Sequence, residues 1–247
     1  VVVLGATERE LGPLLEALEG HDLPARQGSM DMRAPGHQDG PLAWPTHRQG
    51  VIDGRPVTVV LTGVGKANAA AATALAIERY APRTLLLTGI GGAYPGAPLG
   101  LGDVALAVAE VHLDTGVGHG ATWQGMDSLG FALLPGPPPR YNRMDLDAAS
   151  ARELASRLGV HALVFGTAES VTADAATAME LRRRHDVAIE SMEGAAVAQV
   201  ALAMGVDLVE IRGVSNVVGE RDRSRWDIAG AIRASCAVAR AALPFLP

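Results

Sequence analysis

Cysteine is almost missing from this chain: a single Cys236 stands in the apolar run ASCAVARAAL. One thiol excludes a disulfide framework within the chain and makes the cytoplasm the expected location. Cys236 itself is expected to be a small core residue. Histidines number only seven, and His112 and His119 do not have metal-ligand spacing, so no metal site and no cofactor are expected. Positive charge is in deficit as well. Twenty-one basic residues face 27 acidic ones, a net charge of −6, which argues against a nucleic-acid partner, since that binding needs a basic stripe. The triplet Arg182-Arg183-Arg184 is expected to be one exposed helix face. No 18-residue apolar span is visible, so no membrane partner is expected. The VVVLG opening lacks the charged flank and the length of an export signal and reads as strand only. Two catalytic signatures are absent too. GVGK lacks the upstream glycine and the following Ser/Thr of a phosphate-binding P-loop, and no G-x-S-x-G elbow supplies a hydrolase serine.

What is present is material for a large core. Nearly half the residues are hydrophobic, and short β-branched runs alternate with alanine-rich stretches. Strands are expected over 1–4, 57–61, 84–87, 103–111, 161–165, 187–190 and 208–214. Helices are expected over 5–20, 66–80, 147–158, 177–185, 192–204 and 228–243. Continuous apolar strands spaced by helices predict an α/β fold: a three-layer arrangement with a twisted, mixed but mostly parallel sheet covered by helices on both faces. Residues 25–50 and the proline-rich ALLPGPPPR at 132–140 break the rhythm and read as surface excursions. One domain, 1–247, is expected.

In open α/β sheets ligands bind beyond the carboxyl ends of the strands. The residues just after each strand are GATERE at 5–10, TGVG at 62–65, TGIGG at 88–92, ESMEG at 190–194, and Ser215-Asn216. Their glycines permit close backbone approach to a ligand, although tight strand-to-helix turns explain them as simply. Glu10 and Glu193 each fall at a helix start, where a carboxylate can serve only the helix dipole. Glu193 also lies in the apolar stretch MEGAAVAQVALAMG, and a buried carboxylate needs donors such as ribose hydroxyls.

Taken in order, GATERE, TGVGKANAA, TGIGGAY, GLGDV, ESMEGAAVA and RGVSN resemble the purine nucleoside phosphorylase / 5′-methylthioadenosine nucleosidase superfamily over residues 5–216. The resemblance implies a twisted mixed sheet with flanking helices, cleavage of a nucleoside N-glycosidic bond, and a homo-oligomer. It implies Glu10 as the base that activates water, Glu193 as the holder of the ribose hydroxyls, and Met192 as an apolar floor under the sugar. Asn216 stands where adenine-cleaving members usually carry aspartate. An amide donates and accepts hydrogen bonds but transfers no proton at neutral pH. Asn216 is therefore expected to select a 6-oxopurine by donating to N7 or O6, against the plainer reading of a turn-capping asparagine.

Ile90, with Gly91 beside it, occupies the place of a phosphate-binding serine, which favours water over phosphate as nucleophile. Backbone groups near Val171 are expected to bond the base edge, where the family's stacking aromatic is absent. ATERE, ESMEGAA and RGVSNVVGERDRSRW are similar to the futalosine hydrolase branch, which implies a substrate with a benzoate-bearing extension. His112, Arg140, Arg143 or a neighbouring subunit are the candidates to meet that carboxylate. Methylthioadenosine/S-adenosylhomocysteine nucleosidase, a nucleoside phosphorylase and a catalytically inactive nucleoside-binding homologue are the other readings. The charged run 220–225 before Trp226 reads as a solvated helix entry rather than a lid.

Overall fold

The β-branched and leucine runs become strands, and the alanine-rich segments between them become the helices that cover them. The computed structural model describes residues 1–20 and 45–247. In chain order the elements are β1 (Val2–Gly5), α1 (Glu8–Glu16), β2 (Thr46–Ile52), β3 (Arg55–Leu61), α2 (Lys66–Tyr80), β4 (Thr84–Ala93) and β5 (Val104–His112). There follow β6 (Gly116–Val117), β7 (Gln124–Gly125), α3 (Met126–Leu129), β8 (Arg143–Asp145), α4 (Ala148–Leu158), β9 (His161–Thr167), α5 (Ala175–His185), β10 (Ile189–Ser191), α6 (Gly194–Met204), β11 (Asp207–Val217) and α7 (Ile228–Ala242).

The main sheet runs β10-β9-β5-β11-β4-β1-β3-β2, with β8 added on β5. Pairs β1–β3, β1–β4, β4–β11, β5–β9 and β9–β10 are parallel, while β2–β3, β5–β8, β5–β11 and β4–β10 are antiparallel. The mixed, mostly parallel sheet is as expected. Its closure is not something the pattern announced. Because β10 pairs with both β9 and the far end of β4, strands β4, β11, β5, β9 and β10 form a ring. That ring carries the turn with Met192 and Glu193 back beside Arg212 of β11.

Alternation assigns the two faces. Val3, Leu86 and Ile211 point into a core shared with Leu11 and Leu14 of α1 and Ile232, Cys236 and Ala239 of α7. Val2, Leu4, Leu85 and Leu87 point the other way, onto Ala69, Ala76 and Ile77 of α2 and Ala196, Val197 and Ala201 of α6. The small side chains on α2 and α6 let those helices approach closely. Cys236 is a core residue as expected, and burial pushes its thiol up to about 11.

Four expectations need correction. The segment TGIGGA is not a turn: β4 continues through it to Ala93, because β11 on one side and β10 at its end supply the hydrogen-bond partners. Likewise Ser215 and Asn216 are not at a loop edge but inside β11, which runs to Val217. Of the excursion at 25–50, residues 25–44 lie outside the described residues, while 46–50 form part of β2. Finally, Ile228–Phe245 does reach the length and mean hydropathy, 1.3, of a membrane span. In the fold Ala231, Ile232, Ser235, Cys236, Ala239 and Ala242 of this stretch are buried against the sheet and α1, the pattern of a core helix. The segment 132–140 is non-helical as expected, pinched by a bridge between Leu134 and Arg140.

Candidate active site

The first turn of α1 fixes Glu10. Thr7 caps the helix by accepting from the Glu10 backbone N–H at 3.2 Å, and its hydroxyl donates back to Glu10 Oε2 at 2.9 Å. Thr7-x-x-Glu10 is a local capping signal visible in the sequence. The other carboxylate oxygen, Oε1, accepts the Ile90 N–H at 3.3 Å. The acid is therefore held across to β4 rather than left to face the helix dipole alone.

Glu193 occupies the N-cap position of α6 and is buried at 4% exposure. Its Oε1 accepts the N–H of Gly65, which caps α2, at 3.2 Å. Gly65 adopts φ +93, and a Cβ there would stand 2.6 Å from Glu169 Oε1, so this seat requires glycine. The other oxygen, Glu193 Oε2, faces Nη1 of Arg212 at 3.4 Å. Burial raises the Glu193 pKa above its ordinary value, against the lowering effect of Arg212 and the Gly65 N–H. Met192, half-buried, precedes it at the same turn.

Arg212 joins the two acids. Its Nη1 also donates to the Ile90 carbonyl at 3.4 Å, so the Ile90 residue gives its N–H to Glu10 and its C=O to the guanidinium. A Cβ on Gly89 would lie 2.8 Å from both Glu10 Oε1 and Arg212 Nη1, which places these groups over one bare stretch of β4. Arg212 is 1% exposed, and its Nε donates to Glu210 Oε1 at 2.8 Å. Neither Arg212 nor Glu210 was singled out in the sequence. The signal was there: two charged residues, two positions apart, inside the apolar strand LVEIRGV, must share one face and need buried partners.

Asn216 sits four residues beyond Arg212, roughly 13 Å along the strand. A bulge between Val214 and Asn216 leaves both Ser215 and Asn216 buried. Asn216 Oδ1 accepts from the Ser215 hydroxyl at 2.8 Å, and Nδ2 donates to the Val217 carbonyl at 3.0 Å. One amide N–H is left over for a ligand. The turn-cap reading falls, because the side chain is locked within a strand. Gly91 is buried, with Ile189 and Glu190 where a side chain would be, and its carbonyl lies 3.1 Å from the Ser215 hydroxyl oxygen. Val171 is 44% exposed on a loop anchored by Thr172, whose N–H and hydroxyl both reach the buried Glu190, a partner shared with Tyr94.

Neither of two candidates for a distant carboxylate is a free cation. His112 is buried, and desolvation, then Lys66, lowers its pKa to about 4, so it is neutral at pH 7. Arg143 is exposed and paired with Asp145 at 2.7 Å. The run 220–225 is solvated as expected, with Glu220 paired to Arg225 and two arginines stacked over Trp226. A cavity of about 480 Å³ opens at the opposite ends of the strands, near Thr84, Asp207 and Arg157, and holds none of the residues above.

The geometry gathers two carboxylates about one buried guanidinium, with a hydrogen-bonding amide farther along the same strand. The futalosine hydrolase of Thermus thermophilus is 38% identical over 79% of this chain and 84% of its own length. A 5′-methylthioadenosine/S-adenosylhomocysteine nucleosidase of Anoxybacillus flavithermus is 31% identical over 72% of this chain and 75% of its own length. The structure of the Helicobacter pylori futalosine hydrolase superposes with a TM-score of 0.77 over 99% of this chain and 97% of that one, at 19% identity, and so supports the fold. The phosphorylase superfamily profile matches residues 1–244, and the chain belongs to that superfamily.

Proposed function

We propose that this protein hydrolyses the N-glycosidic bond of futalosine, releasing hypoxanthine and dehypoxanthine futalosine, in the futalosine route to menaquinone. The observation that carries the reading is the bridge from Glu10 through Ile90 and Arg212 to Glu193, which sets two acids at one bare segment of β4. The identity to a futalosine hydrolase, higher than to a methylthioadenosine nucleosidase, supports the choice of substrate, as does the amide at Asn216.

In this mechanism Glu10 accepts the proton of a water aimed at the anomeric carbon. The C–N bond lengthens first, and the sugar gains oxocarbenium character. Glu193 accepts from the 2′- and 3′-hydroxyls and opposes the growing positive charge, in a setting dry enough for that charge to count. Met192 floors the sugar, with Ile90 and Gly91 along the β4 wall. Charge leaving with the base is met by the free N–H of Asn216 at N7 or O6 and by the backbone at Val171. The protein works in the cytoplasm as a homo-oligomer, without metal or cofactor.

The test is chromatographic. Futalosine, methylthioadenosine and inosine are each given to the purified protein with and without phosphate. Phosphate-independent release of hypoxanthine from futalosine alone is the expected result. Adenine release from methylthioadenosine in its place would assign the chain to the nucleosidase branch, and no release from any of the three would make it a binding protein.

A further inference from the structure

Behind Glu193 lies a second acid pair. Glu110 of β5 and Glu210 of β11 are both fully buried. They meet at the start of α6: a Cβ on Gly194 would fall 2.1 Å from Glu110 Oε1 and 2.6 Å from Glu210 Oε1. Each oxygen has a distinct situation. Glu110 Oε2 accepts the Thr167 hydroxyl at 2.8 Å, and that hydroxyl in turn accepts the Ala195 N–H at 2.8 Å. Glu210 Oε1 accepts Arg212 Nε at 2.8 Å. The remaining two, Glu110 Oε1 and Glu210 Oε2, are buried and have no donor.

We propose that Glu110 and Glu210 share one proton, carried by Glu110, and act as a positioning pair that holds Arg212 against Glu193. Charge counting favours it. The groups facing this spot are Glu210 and Arg212 from β11, Glu193 from the α6 cap, Glu10 from α1 and the neutral Thr167 from β9, with His112 and Lys66 nearby. One guanidinium cannot balance four buried or half-buried carboxylates, and two acids in contact do not both ionise. Burial first, and then the charge of Glu210, raise Glu110 well above the carboxylate range. A proton on Glu110 Oε1 gives that orphan oxygen a partner in the facing Glu210 carboxylate. Glu210 then keeps its full charge for Arg212, and Arg212 fixes the angle of Glu193.

The two acids are therefore not equivalent, and isosteric amides separate them. In Glu110→Gln the amide N–H replaces the acid proton, so kcat should fall far less than in Glu210→Gln. In Glu210→Gln Arg212 loses its ionic anchor. Misplacing the group it orients should lower kcat about 10- to 100-fold with KM little changed, and Glu210→Asp should recover part of that loss. The kinetic arm rests on the hydrolase reading. A second arm does not: the infrared difference between wild type and Glu110→Gln at neutral pH should show the C=O stretch of a protonated carboxyl, lost in the variant. If the chain cleaves no nucleoside, that band still reports on the pair. Absence of the band, or a Glu110→Gln variant as impaired as Glu210→Gln, overturns the proposal.

Discussion

Replacing Asn216 by aspartate exchanges one atom and should remove the base contact. Asn216 Nδ2 lies 3.0 Å from the Val217 carbonyl and spends one of its two hydrogens there. With Asp, an oxygen takes that place and meets another acceptor at the same distance. The ionised carboxylate has no hydrogen for either partner. The protonated carboxyl has one, and Val217 takes it. In both states the donor proposed for N7 or O6 is gone. An unmet buried polar group costs about 1–3 kcal/mol, which is about 5- to 150-fold in kcat/KM. The same reasoning gives a pH sign. Held in a site 8% exposed beside a carbonyl, the new carboxyl should bind its proton more tightly folded than unfolded. The variant should therefore lose stability relative to wild type as pH rises above the unfolded aspartate value of about 3.9. Hypoxanthine release from futalosine, followed by chromatography, measures the first effect, and thermal melts at several pH values measure the second. Wild-type turnover together with a pH-independent difference in melting would refute the assignment of the amide.

Other substitutions probe the rest of the site. Glu10→Gln and Glu193→Gln should fold normally by circular dichroism and lose about a hundredfold or more in kcat; near-normal turnover in both would remove the mechanism. In the wild type, the acid limb of kcat/KM should lie above the ordinary glutamate value of about 4.5, because burial raises the Glu193 pKa and the proposed mechanism uses the ionised form to accept ribose hydroxyls. The matching stability term has the opposite sense: an ionised, buried Glu193 costs the fold as pH rises through that limb. Gly194→Ala puts a methyl 2.1 Å from Glu110 Oε1 and should destabilise by about 1–3 kcal/mol in denaturant melts. Arg212→Met strands Glu193 and Glu210 without a counter-charge and should cost about 3–5 kcal/mol, seen as a lowered melting temperature.

The layered sheet was legible because its strands are apolar throughout and its helices are rich in alanine, so local pattern and burial agree. The expected helix 66–80 coincides with α2, Lys66–Tyr80. Where the reading stopped short, at β4 and β11, glycine and polar residues argued for turns, and only pairing to strands distant in sequence kept the backbone extended. Glu10, Glu193 and Asn216 stand out in the sequence because each comes just after an apolar run that reads as a strand. Glu110, Glu210 and Arg212 do not, because their partners come from β5, β9, β11 and the start of α6. A buried charge is explained by what surrounds it, and a linear pattern shows only its neighbours along the chain.

The choice between water and phosphate also depends on such distant partners. A helix N-terminus is a natural seat for a phosphate dianion, and the glycine turn before α2 looks like one. In the fold that seat is taken by the chain's own carboxylates. The Gly65 N–H is spent on Glu193, and the Lys66 N–H on Glu169 at 2.9 Å. The Lys66 ammonium is paired with Asp114, and the Arg212 guanidinium lies between Glu193 and Glu210. A dianion arriving beside Glu10 would meet negative charge whose counter-ions are already engaged. Water carries no such penalty, and in the proposed mechanism Glu10 takes its proton. Two of the acids that would repel phosphate, Glu10 and Glu193, are thus the groups the hydrolytic reading uses, one to activate the nucleophile and one to hold the sugar.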